Sequence, residues 1–396
     1  MRKSLSNAHL FVIVFAQFAG TSLWFAGNAI LPDLEPLLRQ TDGSIPALNG
    51  WLTSAVQIGF ITGTLLYALL ALPDRFPTTR VFLVSVSLAA LANIGWLAVP
   101  FRAEMVLASR FLTGFFLAGV YPVGMKISAD WFRPVLGRAM GFLVGALALG
   151  TAFPHLIRGI GATLPFQGVL LSVSGLAVFG GVLLFLTIPS KPVLLQTNRL
   201  QLGVVRALFR PSAFRPALWG YFGHLCEIYT LWAFLPMLIT LYAHQHPETG
   251  INVSLWAFFA IAAGFVGCVG GGYRALRVGS KRVGQGQLAA SATCILLAPL
   301  VFLGPGWLFG LFLLIWGAVA AGDSPQFTTL IANNAPLENR GSLLTLVTCI
   351  GFSITVVSIQ TMAWYVGAVG PSVWQFWLML PGVLLGLWGA GERKVA

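Results

Sequence analysis

Charge is what this 396-residue chain has least of: 9% of its side chains are charged and 11 residues are acidic, where soluble domains carry about 25% charged residues. With 57% hydrophobic and 13% aromatic residues, a disordered chain and a water-soluble multidomain enzyme are both excluded. Cysteine is also scarce. Cys226, Cys268, Cys294 and Cys349 all sit inside apolar runs, without a Cys-x-x-Cys pair or a histidine at metal-ligand spacing, so neither a disulfide framework nor a metal site is expected. No Walker-type phosphate loop, dinucleotide glycine fingerprint or His-Glu-x-x-His pair occurs, so no nucleotide, cofactor or intramembrane metalloenzyme is expected. The apolar runs do not alternate in segments of about 10 residues, which excludes a membrane β-barrel. The net charge of +12 comes without a long basic arm, so nucleic acid is not an expected partner.

What is present is apolar length. Polar or Pro/Gly-marked connections cut the chain into twelve runs: 9–32, 47–72, 81–100, 104–127, 138–160, 166–189, 216–243, 252–274, 284–303, 306–332, 342–368 and 372–391. Each approaches the roughly 20 residues that a helix needs to cross the hydrocarbon core. The first run follows Arg2 and Lys3 like a signal peptide, but it exceeds a 7–15-residue apolar region and is read as a retained span. An even count puts both termini on one side. Placing them in the cytoplasm assigns most of the 23 basic residues to inner connections and leaves Arg39, Arg102 and Arg158 outside, as the positive-inside rule requires. The expected address is a bacterial inner membrane, with the lipid bilayer as surroundings and a monomer as the expected state. Residues 190–215 read as a cytoplasmic linker between an N-terminal bundle, 1–189, and a C-terminal bundle, 216–396.

The halves repeat at an offset of 202 to 204 residues. Asp74-Arg75-Phe76-Pro77-Thr78-Thr79-Arg80 matches Leu276-Arg277-Val278-Gly279-Ser280-Lys281-Arg282, Ala118-Gly119-Val120-Tyr121-Pro122 matches Ala321-Gly322-Asp323-Ser324-Pro325, and Pro32 matches Pro236. Together with Arg110-x-x-x-Gly114, these segments resemble the major facilitator superfamily over nearly the whole length. The family's loop motif normally has glycines where Leu70 and Pro77 stand and an acid where Leu276 stands. The resemblance implies an all-α membrane protein, with twelve transmembrane helices in two pseudo-symmetric six-helix bundles around a cavity opened alternately to either side. It further implies gating roles for Asp74, Arg75 and Arg80 and for Arg277, Lys281 and Arg282, and a proton-coupling role for Arg110. Lys126, Asp130 and Arg133, at helical spacings of four and three, read as a rim charge cluster that the resemblance lets Asp74 join.

Ionisable groups deep in a span cost about 2.5 to 3.5 kcal/mol each and need a reason. Glu227 and Asp323 both lie roughly 15 Å from the inner face at 1.5 Å rise per residue, and the resemblance aims them at the cavity. Each is either a proton-coupling group or a carboxylate that merely holds helices together, and the Asp323 setting also reads as a capped helix break. Glu227 is favoured, with His224, Tyr229 and Trp232 on adjacent turns. Arg110 either pairs with an acid, snorkels outward or meets an anionic substrate. Trp24 shares the depth of Glu227 and is either cavity wall or core, with Asn28 one turn further on. Tyr121 and Gln326 complete the expected solute contacts. His155 and Arg158 either greet an anion or form a solvated helix end.

The expected function is secondary-active, proton-coupled transport, with symport as the mode, of a small organic solute. The alternative on the same fold is an exporter of amphipathic or cationic compounds. A polytopic membrane enzyme or a sensor is the reading from another class. No catalytic residues are assigned.

Overall fold

A span in lipid has no water to satisfy its amides, so each apolar run pairs them internally and folds as a helix. The computed structural model describes residues 6–42, 47–99, 101–132, 136–161, 164–190, 215–335 and 340–391, so most of the expected linker and Arg133 lie outside the described residues. Among the described residues twelve helical spans appear, the first six being α1 (Asn7–Thr21), α2 (Leu48–Leu69), α3 (Thr78–Gly95), α4 (Ala103–Leu117 and Tyr121–Trp131), α5 (Leu136–Ile160) and α6 (Phe166–Thr187). The second six are α7 (Arg215–Gln245), α8 (Val253–Val278), α9 (Ser280–Val301), α10 (Gly306–Gly322 and Ser324–Asn334), α11 (Arg340–Val369) and α12 (Val373–Met379 and Leu380–Gly391). Eleven are long and apolar enough to cross a membrane, and α1 is shorter. Exposed Leu186, Leu303, Trp307 and Trp388 cover the outside with apolar surface, as a lipid-facing wall requires.

The first run is not one helix. After α1 the chain turns at Ser22–Phe25, resumes as Ala26–Ala29, and continues as a further helix, Leu31–Asp42. Two other breaks have a local cause. Pro122 and Pro325 lack an N–H and clash with a preceding carbonyl; each stands at the start of the second segment of its span, α4 and α10 respectively. These breaks fall at the offset of the sequence repeat.

The packing repeats as well. In one bundle α2 packs on α4, α1 on α5 and α6, and α3 on α4 and α6; in the other α8 packs on α10, α7 on α11 and α12, and α9 on α10 and α12. The bundles meet through α5 against α8 and α2 against α11, two pairs that a twofold operation interchanges. Close approach at the α2–α4 and α8–α10 contacts is made by glycine. A Cβ on Gly114 would overlap the Val56 carbonyl oxygen, and one on Gly317 the Ala260 carbonyl oxygen. Likewise Gly63 sits on the Phe115 carbonyl and Gly267 on the Ala318 carbonyl. Small residues let membrane helices pack backbone to backbone, where van der Waals contact replaces the missing hydrophobic force. Gly114→Val and Gly317→Val are each expected to cost about 3 kcal/mol through overpacking. The check is the monodisperse yield and melting temperature of each purified variant beside the parent.

The α8–α9 connection uses a different property of glycine. Gly279 has φ 87° and ψ 144°, a conformation that side chains with a Cβ rarely adopt. Its counterpart Pro77 has φ −54°, so the two motif copies turn by different means.

Candidate functional site

A small cavity of about 30 Å³ lies between the bundles. One wall comes from α4 and α5, with Tyr121, Leu147 and Ala148; the other comes from α7, α10 and α11, with Tyr221, His224, Tyr229, Trp232, Ser324 and Phe352. Beyond Tyr229, away from the side on which α1 begins, aromatic rings close the path. Trp24 lies 5.5 Å from Tyr229, 5.7 Å from Phe352 and 4.8 Å from Phe60 between ring centroids, and Phe25 lies 6.2 Å from Trp232. Among the described residues three hydrogen bonds join the bundles on that side: Asn49 Nδ2 donates to the Ala233 carbonyl at 2.8 Å, Gln360 Nε2 to Ser54 Oγ at 2.8 Å, and Asn252 Nδ2 to the Gly159 carbonyl at 3.1 Å.

Behind the α7 wall stands a titratable group of three. His224 lines the cavity, and its Nδ1 lies 2.7 Å from Asp323 Oδ1, with both side chains buried. Asp323 sits at the α10 break but makes no side-chain cap; its carboxylate turns to the histidine instead. Glu227, one turn from His224, is buried and does not line the cavity. Its Oε1 accepts from Ser291 of α9 and, at 3.1 Å, from the Trp316 indole of α10. Oε2 has no partner among the described residues. The arrangement runs from the cavity through His224 to an acid beside it, with a second acid deeper in the bundle.

The other bundle holds a cation. Arg110 is 1% exposed, so it does not snorkel, and among the described residues no carboxylate pairs with it. Its Nη1 donates to Asn93 Oδ1 at 2.8 Å, and its Nη2 donates to the Leu23 carbonyl at 3.0 Å and to the Trp24 carbonyl. These two carbonyls belong to the turn that ends α1, where helical partners are lost. The guanidinium therefore ties the break together.

Of the other expected solute contacts, Tyr121, Tyr229 and Trp232 line the cavity, whereas Trp24, Asn28 and Gln326 do not. Asn28 Nδ2 donates to Asn49 Oδ1 at 2.9 Å and Thr53 Oγ1 at 2.7 Å, within its own bundle. Gln326 is buried. Tyr221 and Phe352 complete the wall without having been singled out by the sequence. Tyr221 could have been found three residues before His224 on the same helical face, but nothing local marks Phe352.

At the rim, Lys126 donates to the Pro73 carbonyl at 2.9 Å and pairs with Asp74. Asp130 lies on the same segment of α4, while Arg75, Arg80, Arg277, Lys281 and Arg282 are exposed. At the far end of α5, His155 is 2% exposed and Arg158 pairs with Asp33 at 2.8 Å. This corrects the solvated-end reading, because Ala26–Ala29 packs on α5 and Asp33 lies just beyond it.

The family profile described as Major Facilitator Superfamily matches residues 10–371. The 3-(3-hydroxy-phenyl)propionate transporter of Escherichia coli (strain K12) is 27% identical over 200 residues, 48% of this chain and 47% of the relative, so the match spans about half of that protein. Among solved structures, the human organic anion transporter MFSD10 (TETRAN) superposes with a TM-score of 0.71 at 18% identity, over 96% of this chain and 99% of the other. The proton:xylose symporter XylE, bound to 6-bromo-6-deoxy-D-glucose, gives 0.74 at 15% identity, over 97% and 95%. At such identities the two structures speak for the fold alone.

Proposed function

The chain belongs to the Major Facilitator Superfamily, and from that premise we propose a secondary-active transporter that moves a small organic solute by alternating access, coupled to protons. The observation that carries this reading is the shared cavity with His224 on its wall and Asp323 against that histidine. Intramembrane acids are functional by default, since an idle carboxylate there is costly. The relative named as a 3-(3-hydroxy-phenyl)propionate transporter supports an organic solute.

In the proposed cycle, solute enters against Tyr121, Tyr229 and Trp232. The proton resides in the group formed by His224, Asp323 and Glu227. Its arrival or departure changes the balance between open states, which is possible only through different affinities in the two. Asp74 and Lys126 act as a latch at the rim, and Arg110 supports the broken span. Trp24 serves as part of the closing roof and Asn28 as a bundle contact, with Gln326 beside the path on α10. The remaining basic loop residues, Arg75, Arg80, Arg277, Lys281 and Arg282, serve orientation and gating. The division into 1–189, linker 190–215 and 216–396, termini in the cytoplasm, a bacterial inner membrane and a monomer all belong to this proposal, the orientation resting on the distribution of basic residues.

The test is uptake by proteoliposomes across a panel of organic anions, cations and neutral solutes, with and without a pH gradient. The expected result is accumulation of at least one solute when the gradient is imposed, collapsed by a protonophore. Equal uptake of every solute with and without the gradient would reject proton coupling.

A further inference from the structure

We propose that the cavity takes a small aromatic monocarboxylate. This rests on the transport reading above and adds the solute's chemistry. Trp232 lines the cavity and is 2% exposed, yet its indole N–H has no acceptor among the described residues. An indole N–H can only donate, so it asks for an acceptor on the solute. Phenol hydroxyls of Tyr121, Tyr221 and Tyr229 stand on the same cavity and can donate alongside it.

Among the described residues the wall carries no Lys, Arg, Asp or Glu. A cationic solute would thus meet rings and donors but no carboxylate on the wall itself: Asp323 is fully buried against His224, and Glu227 lies behind the wall with Oε1 held by Ser291 and Trp316. An anion finds one basic side chain, His224. The titratable groups around that histidine are Asp323 from α10, Glu227 and Tyr221 from α7, and Tyr121 from α4 across the cavity. A carboxylate that enters with one proton leaves the net charge of this group and its solute unchanged, whereas a dicarboxylate would leave its second charge among Val144, Leu147 and Ile228. The rest of the solute should be flat. Tyr229, Trp232 and Phe352 already pack on one another at 5.3 and 5.2 Å between centroids, and the ring surface that they turn to the cavity favours a tilted or edge-on aromatic partner over an aliphatic one.

The test uses the full chain in lipid nanodiscs and equilibrium dialysis of radiolabelled 3-phenylpropionate. Saturable binding is expected, with 3-cyclohexylpropionate at least tenfold weaker as a competitor and phenylsuccinate and 2-phenylethylammonium weaker still. Trp232→Phe is expected to weaken binding at least tenfold in a protein that remains monodisperse; if that variant does not fold, the competition series on the parent decides. Equal competition by 2-phenylethylammonium or by the cyclohexyl compound overturns the proposal, as does an absence of saturable binding. Counterflow in proteoliposomes separates the two readings. Binding without counterflow rejects transport and keeps the site, and pH-driven flux of another solute without 3-phenylpropionate binding rejects only the solute class.

Discussion

Asp323→Asn is expected to lower pH-gradient-driven uptake at least a hundredfold while leaving solute counterflow within a few-fold of the parent. Asparagine keeps an oxygen toward His224, so the loss in stability should stay near 1 kcal/mol, the worth of one ordinary hydrogen bond. What disappears is the negative charge 2.7 Å from the cavity-lining histidine. Glu227→Gln provides the comparison. A glutamine oxygen can still accept from Ser291 and Trp316, so the fold should hold, and the smaller effect is expected because this acid lies behind the wall. The measurement is initial uptake with the gradient imposed beside exchange at equal pH. Unchanged pH-driven uptake in both variants would remove the carboxylates from the cycle, and equal loss of uptake and exchange would mark a packing role.

The second large effect is on stability. Arg110→Met should lower the melting temperature sharply, through a loss of about 3 kcal/mol or more, since it leaves the Leu23 and Trp24 carbonyls and the Asn93 amide oxygen buried without their donor. Arg110→Lys should recover part of this loss, because an ammonium donates but lacks the planar fork that spans two adjacent carbonyls. Both can be read by thermal melting of purified protein followed by size-exclusion chromatography. If Arg110→Met melts with the parent, the guanidinium does not hold the α1 break. If Arg110→Lys folds and keeps its pH-driven uptake, a fixed structural cation explains the residue better than proton coupling does.

Length made the twelve crossings legible in the sequence, and proline stands at two of the three breaks, of which the one at Asp323 was anticipated. The third was hidden. Ser22-Leu23-Trp24-Phe25 contains no proline or glycine, and the group that takes its carbonyls stands 86 residues away from Trp24. The site divides in a similar manner. A rise of 1.5 Å per residue gives depth along a helix, which is why Glu227 and Asp323 could be assigned one expected level. Rotation about the axis depends on what packs there. His224 and Trp232 turn to the cavity, but Glu227 turns to Ser291 and Trp316, so its partners lie 64 and 89 residues on and leave no local trace. Polar and aromatic neighbours on adjacent turns ranked Glu227 above Asp323, and the contact of Asp323 with His224 reverses that order for the proposed cycle.

The twinned glycine seats, Gly114 on Val56 and Gly317 on Ala260, carry the sequence repeat into the packing energetics. The repeat extends to the scaffold but not to the ionisable cluster: the positions 203 residues before His224, Glu227 and Asp323 hold Thr21, Trp24 and Val120, and the one 203 after Arg110 holds Leu313. In the proposed cycle a proton arriving at the cluster would therefore act on one bundle of the pair alone.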